Sequence, residues 1–104
     1  MAREQLKNLT EPMYYILLSL LKENHGYGIM QMAKHLSDGE VVIGSGTMYG
    51  AVNNLIRKEW IEEVPSVSGG ERKRLYRLCT SGKEALEVEI KRLKRMLKGV
   101  EEHG

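Results

Sequence analysis

Residues 44–64 read GSGTMYGAVNNLIRKEWIEEV, and the hydrophobic period changes within this stretch. Up to about Lys58 the apolar residues recur at helical spacing, and they are Met48, Val52, Leu55 and Ile56. The opposite side of this helix carries small and polar residues, namely Gly46, Gly50, Asn53, Asn54 and Arg57. After Trp60 the pattern becomes that of a short β-strand. We therefore predict an amphipathic helix, buried on one side only, that leads directly into a strand.

Two short β-prone runs follow this helix. Residues 61–67 and 72–79 flank the turn sequence SGGE at residues 68–71, which predicts a hairpin. The basic residues at its tip and at the start of its second strand are Arg72, Lys73 and Arg74. We expect a positively charged hairpin.

A long last helix is predicted after the hairpin. Thr80 is a suitable cap for its first turn. Its apolar residues form a heptad seam of Leu86, Ile90, Leu93, Leu97 and Val100. Because nothing else in the chain is left to cover this seam, we expect it to contact a second copy of the chain. Acidic residues in its first half and basic residues in its second suit the helix dipole and antiparallel contact with a partner helix.

Two further helices precede residue 44. The first begins near Thr10, a good N-cap, and its apolar residues cover more than one face, so we expect its second face to meet a partner subunit. A break at residues 24–28 precedes the second helix, whose one-sided stripe is Ile29, Met32, Ala33 and Leu36. Residues 41–43 are interpreted as a minimal strand, and Ser45 or Thr47 as the cap of the third helix.

The order helix, helix, helix, hairpin, helix defines the expected fold class. It is mainly α with a small β-hairpin: a winged helix-turn-helix followed by a C-terminal dimerisation helix. We place the winged domain at residues 1–80 and the dimerisation helix at residues 81–104, as one compact unit. A chain of 104 residues suits one domain, and oligomerisation commonly stabilises a domain this small.

Composition narrows the function classes. The net charge is only +2, so affinity for nucleic acid depends on where the basic residues lie. Cys79 is the one cysteine, which favours a reducing compartment. A polar N-terminus and the lack of a long apolar run indicate a cytoplasmic protein without a membrane partner. The histidines are scattered, and no zinc-ligand, phosphate-loop or nucleophile motif is present, so we expect no enzymatic activity, metal or cofactor.

A winged helix-turn-helix places its recognition helix in the major groove of DNA. Asn53 and Asn54 can bond adenine edges, and Arg57 can bond guanine or a phosphate. Gly50 has no side chain on the same side, which lets the backbone come close to the DNA. The basic hairpin can contact phosphates or the minor groove. The sequence therefore predicts binding to double-stranded DNA through the third helix and the hairpin.

Three segments resemble the PadR family of bacterial transcriptional regulators. They are residues 46–55 with Ile61 after them, residues 25–28 (HGYG), and residues 70–78 followed by Thr80 and Gly82. The single helix after the wing is similar to the smaller PadR subgroup. The resemblance implies repression or regulation of nearby genes by a homodimer, and some family members sense a small hydrophobic effector near the dimer interface. A dimer with two recognition helices predicts a near-palindromic operator.

Pattern and resemblance together give two sets of candidate residues. The DNA-binding set is Tyr27, Ser45, Thr47, Tyr49, Gly50, Asn53, Asn54, Arg57, Arg72, Lys73 and Arg74. The dimer-interface set is Met13, Ile16, Leu17, Leu20, Leu86, Ile90, Leu93, Met96 and Leu97. The resemblance implies phosphate contacts for Tyr27 and Tyr49, although Tyr49 can instead pack against the wing. Trp60 is expected in the core or, alternatively, in the lining of a ligand pocket.

The chain departs from the PadR pattern in two places. Glu59 stands where a glycine usually ends the recognition helix, so either Glu59 adopts the left-handed conformation or the helix ends one residue differently. The wing has Glu71-Arg72-Lys73 where the family often has Arg-Pro-Arg. A winged helix whose third helix docks a partner protein is the alternative function. A DNA affinity that falls steeply with salt distinguishes the two.

Overall fold

A computed structural model describes residues 9–65 and 74–104. Within these ranges the elements are α1 (Glu11–Ser19), β1 (Asn24–His25), α2 (Gly26–Leu36), α3 (Ser45–Arg57), β2 (Ile61–Val64), β3 (Leu75–Leu78) and α4 (Thr80–His103). The predicted order of three helices, a hairpin and a last helix is therefore confirmed, and with it the mainly helical winged helix-turn-helix. None of the helices in the described ranges is long and apolar enough to cross a membrane.

Helix α1 begins where the sequence predicts. Thr10 has extended backbone angles, and its hydroxyl accepts a 3.3 Å hydrogen bond from the N–H of Met13. The face formed by Ile16, Leu17 and Leu20 is buried in the core of the same chain. The remaining apolar side chains of α1 are half-buried. One face of α1 is thus buried within the protomer, and a second face remains partly exposed to solvent.

Residues 24–28, expected as a break, form strand β1 and the first turn of α2. Asn24 and His25 pair antiparallel with β3. His25 then caps α2, because its Nδ1 accepts a 3.2 Å hydrogen bond from the N–H of Gly28. The expectation was wrong because the glycines here resemble a turn signal, whereas the pairing that orders this segment comes from a distant part of the chain.

The segment between α2 and α3 is not a strand. Residues 41–43 alternate between buried, exposed and buried, as a strand would, but the sheet of the described residues contains only β1, β3 and β2. Neither Ser45 nor Thr47 caps α3. Gly44 is the N-cap, and no side chain bonds the backbone there, so the capping expectation was wrong and both hydroxyls lie in the exposed first turn.

Among the described residues, Pro65, Arg74 and Cys79 lie outside the hairpin strands, although the sequence predicted them within. Strands β2 and β3 pair antiparallel from Ile61 opposite Leu78 to Val64 opposite Leu75. Strand β1 adds a third strand on the other side of β3. The side chains of Ile61, Tyr76 and Leu78 are buried in the core, so the sheet packs against the helices. The tip of the hairpin, residues 66–73, lies outside the described residues.

Trp60 joins α3, the sheet and α4. Its side chain lies in the core, which is the first of the two positions that the sequence analysis gave for it. Glu59 has a φ of 62°, so the left-handed alternative is the one adopted. The Trp60 carbonyl accepts a 2.8 Å hydrogen bond from the N–H of Cys79, and a Cβ added at Gly82 would overlap the same oxygen. Cys79 is the N-cap of α4, so the expectation that Thr80 caps it was wrong.

Helix α4 packs on the domain through its first half. Ala85 and Leu86 belong to the core, and Glu89 is buried. Beyond Ile90, which is half-buried, the seam residues Leu93, Leu97 and Val100 are exposed. The second half of α4 therefore extends past the body of the domain.

Candidate DNA-binding surface

Helix α3 buries its apolar stripe, apart from half-buried Ile56, and leaves its other side in solvent. The exposed side carries the residues that the sequence placed there, Gly46, Gly50, Asn53, Asn54 and Arg57. A Cβ added at Gly46 or Gly50 would meet no heavy atom within 4 Å, so packing within the fold requires neither glycine. These glycines leave bare backbone beside the polar side chains.

The polar side chains of this face are held loosely by the protein. A nitrogen of the Arg57 guanidinium lies 3.5 Å from Oδ1 of Asn54, at the limit of a hydrogen bond, and both side chains are exposed. Asn53 makes no side-chain hydrogen bond to another of the described residues. Amide and guanidinium groups that the fold does not use can bond base edges in the major groove.

Two tyrosines lie near the start of α2, namely Tyr27 in its first turn and Tyr49, which belongs to α3. The Tyr49 hydroxyl is so close to Gly26 that a Cβ there would lie 2.8 Å from its oxygen, so Tyr49 braces α3 against α2. Tyr49 is still 46% exposed, and Tyr27 is 62% exposed. The Tyr27 hydroxyl accepts a 3.0 Å hydrogen bond from Nε2 of Gln31. Gln31 was absent from the sequence candidates, although its i,i+4 spacing from Tyr27 is the signal that could have found it.

The basic wing is only partly described. Arg72 and Lys73 lie outside the described residues, so their expected DNA contacts stay predictions. Arg74 is exposed, and its Nε lies 3.9 Å from Oε2 of Glu63. An exposed ion pair at this distance contributes little to stability, so it leaves Arg74 able to reach a phosphate.

Arg77 on β3 differs from its basic neighbours. Its guanidinium donates a 2.7 Å hydrogen bond to Glu62 of β2 and lies 3.7 Å from Glu23, just before β1. The hydrogen bond to Glu62 raises the pKa of Arg77 above its ordinary value. Arg77 therefore links β3 to β2 and to the residue before β1, and its charge is paired with two carboxylates.

The sequence and the fold match a known family. The model of the transcriptional regulator PadR-like family matches residues 16–88. The chain belongs to this family. It is a transcriptional regulator of the PadR type rather than an enzyme, and the resemblance seen in the sequence is confirmed.

Solved structures share the PadR-like fold. A PadR family transcription regulator from Clostridium difficile R20291 is 29% identical, with a TM-score of 0.68 over 90% of this chain and 97% of that one. Bacillus subtilis PadR, solved in complex with operator DNA, is 27% identical, with a TM-score of 0.63 over 72% of this chain and 44% of that one. A transcriptional regulator from Clostridium thermocellum, 18% identical with a TM-score of 0.69 over 88% of this chain and 87% of that one, shares the fold. A comparison with curated proteins found no significant match.

The candidate dimer interface of this PadR-like regulator divides into two groups. Four of its members, Ile16, Leu17, Leu20 and Leu86, are at most 2% exposed within one chain. Their assignment to the interface is corrected, because the core of the same chain already covers them. Met13 and Ile90 are half-buried beside that core. Leu93, Met96 and Leu97 are exposed along α4, so these five residues remain for a partner to cover.

An ion pair within α4 partners the buried carboxylate of Glu89. Glu89 is 6% exposed and accepts hydrogen bonds of 3.0 and 2.7 Å from Arg92. These bonds lower the pKa of Glu89, burial opposes the effect, and a backbone hydrogen bond from Leu9 adds to it. Arg92 therefore serves the fold, which leaves the other basic residues of the 91–98 segment in solvent.

Proposed function

We propose that this PadR-like regulator is a homodimer that binds a near-palindromic operator and represses transcription. The outer side of α3 carries the proposal, because exposed amide and guanidinium groups stand there beside two bare glycines. The complex of Bacillus subtilis PadR with operator DNA supports DNA as the partner. Asn53, Asn54 and Arg57 read base edges, and Gly50 lets the helix approach them. The phosphate contacts come from Tyr27, Ser45, Thr47, Tyr49, Arg72, Lys73 and Arg74.

The proposed dimer forms through α4. The exposed residues Leu93, Met96 and Leu97 lie beside half-buried Ile90 and continue its seam, and contiguous exposed apolar surface of this kind marks protein interfaces. Met13 lies on α1 and borders the same core. A small hydrophobic effector, seated at this interface between Met13 and Met96, changes the distance between the two α3 helices and relieves repression.

The test is a gel shift of the purified protein on the DNA upstream of its own gene, with a scrambled duplex of equal length, at two salt concentrations. We expect preferential binding that weakens steeply as salt rises, because phosphate contacts release counterions. Replacing Asn53→Ala together with Arg57→Ala removes the preference, since each base contact contributes about 1–3 kcal/mol of discrimination. Lys83→Ala, which removes the same charge from α4, leaves the preference intact.

Retained preference in the double variant would contradict the assignment of α3 as the reading helix. If the wild-type protein shows no preference and no salt dependence on any duplex, the DNA proposal fails. Capture of a partner protein through α3 would then support a protein-binding winged helix.

A further inference from the structure

Gln31 lies on the exposed side of α2, one helical turn after Tyr27. We propose that Gln31 is a positioning residue for DNA binding, which aims the Tyr27 hydroxyl proton at a DNA phosphate. The inference rests on the proposed function, because it adds a residue to the same DNA-binding surface. It assigns a role to a side chain that neither the core nor the recognition helix uses.

The hydrogen bond between Gln31 and Tyr27 has a defined direction. Nε2 of Gln31 belongs to an amide NH₂ group, which only donates, so the Tyr27 oxygen is the acceptor of the 3.0 Å bond. The proton on that oxygen must therefore point elsewhere. No acceptor among the described residues bonds it, and the side chain is 62% exposed. The pair thus presents an outward O–H donor to solvent.

A phosphate oxygen is the acceptor that such a donor fits. A hydroxyl that already accepts one hydrogen bond donates the next more strongly, because the bonds polarise one another. Gln31 also holds the phenol ring in one place before DNA arrives, which lowers the entropy lost on binding. Gln31 therefore increases the affinity for DNA by orienting the Tyr27 hydroxyl and restricting the ring, and it leaves the sequence preference of the protein unchanged.

The position on the fold agrees with this role. Tyr27 lies in the first turn of α2, and the Tyr49 hydroxyl from α3 lies against the neighbouring Gly26. In helix-turn-helix proteins the first helix of the pair crosses the DNA backbone. Because Tyr27 and Gln31 are uncharged, their contact with a phosphate releases no counterion. Loss of this contact therefore lowers the affinity for DNA at every salt concentration without changing how steeply affinity falls with salt.

The test is a double-mutant cycle of Tyr27→Phe and Gln31→Ala, measured on the upstream duplex and on a scrambled duplex over a range of salt. We expect Gln31→Ala to weaken binding to both duplexes by about two- to tenfold, the range for one net hydrogen bond, with an unchanged salt slope. In the Tyr27→Phe background the same change alters affinity by less than about twofold. His35→Ala, one turn further along α2, is the matched control and leaves affinity unchanged.

A second variant reverses the hydrogen bond. In Gln31→Glu the carboxylate accepts from the Tyr27 hydroxyl and turns its proton away from the DNA. The added charge weakens binding in either background, so we expect a further loss that occurs only where Tyr27 is present. Thermal unfolding of each variant, unchanged within error, confirms that the effects arise at the DNA surface.

An equal loss in both backgrounds, or no loss from Gln31→Ala in the wild-type background, overturns the positioning role. These results leave the proposed function standing, because the wild-type protein still binds DNA. If the wild-type protein binds neither duplex, the proposed function fails and the role of Gln31 fails with it.

Discussion

The carbonyl oxygen of Trp60 sets the distance between the end of α3 and the start of α4. It accepts the N–H of Cys79 and leaves no space for a Cβ at Gly82. The N–H of the same residue bonds the carbonyl of Leu55 in α3 at 3.0 Å. One residue therefore carries the contact between the helix that faces DNA and the helix that faces a second copy in our proposal.

Replacing Gly82→Ala tests this contact. The new Cβ would meet a backbone atom that cannot turn aside, so we expect the free energy of unfolding to fall by about 1–3 kcal/mol. Gly50→Ala is the control, because its Cβ would meet no heavy atom within 4 Å and alanine favours a helix by up to about 1 kcal/mol. Urea unfolding measures both. Equal stability of the two variants would show that α4 does not approach Trp60 so closely.

Glu59 stores strain at the end of α3. Its φ of 62° lies in the left-handed region, which glycine adopts without penalty. We expect Glu59→Gly to raise the free energy of unfolding by about 1 kcal/mol, seen as a higher melting temperature. Lys58→Gly, at a φ of −78°, relieves no strain and is expected to lower it. A lower melting temperature for Glu59→Gly would contradict the strained conformation.

At the scale of the element, α4 has two halves with different environments. Its first half lies in the core with Ala85 and Leu86, and the Glu89–Arg92 pair marks the end of the buried part. Its second half carries an apolar stripe that no described residue covers, with Leu97 61% exposed. This division explains why α4 contributes both to the domain and to the proposed dimer.

Leu97→Glu tests the second half. A charge in the seam opposes burial against a partner, so we expect the dimer to dissociate to monomers in light scattering while the fold is kept. Val88→Glu is the matched control, because Val88 is also exposed on α4 but lies about two and a half turns before Leu97 and faces the opposite side of the helix. A stable Leu97→Glu dimer would place the interface elsewhere.

At the scale of the whole molecule, two-fold symmetry sets the operator geometry. In the proposed dimer the two α3 helices enter the major groove about one turn apart, roughly 34–36 Å. Inserting about half a turn of DNA between the half-sites turns one of them to the opposite side of the duplex. We expect this insertion to abolish tight binding in the gel shift and a single half-site to bind weakly. Unchanged affinity after the insertion would indicate that one protomer binds alone.

Local sequence predicted much of this molecule. The period of α3 predicted both its buried stripe and its polar outer side. The glycine pattern of the family gave the left-handed conformation of Glu59 as one of two alternatives, and the structure has that one. The Thr10 cap and the hairpin strands were also predicted, apart from their ends. These features depend on neighbours along the chain, where side-chain spacing and backbone propensity act directly.

Tertiary structure decided the contacts between distant parts of the chain. Apolar residues on α1 showed that Ile16, Leu17 and Leu20 must be covered, but only the fold showed that the same chain covers them. Likewise, β1 exists because β3 pairs with it, and Arg77 is held by Glu62 and Glu23. The hydrophobic period along the chain indicates that a side chain is buried. Which residues bury it depends on how distant segments of the chain pack.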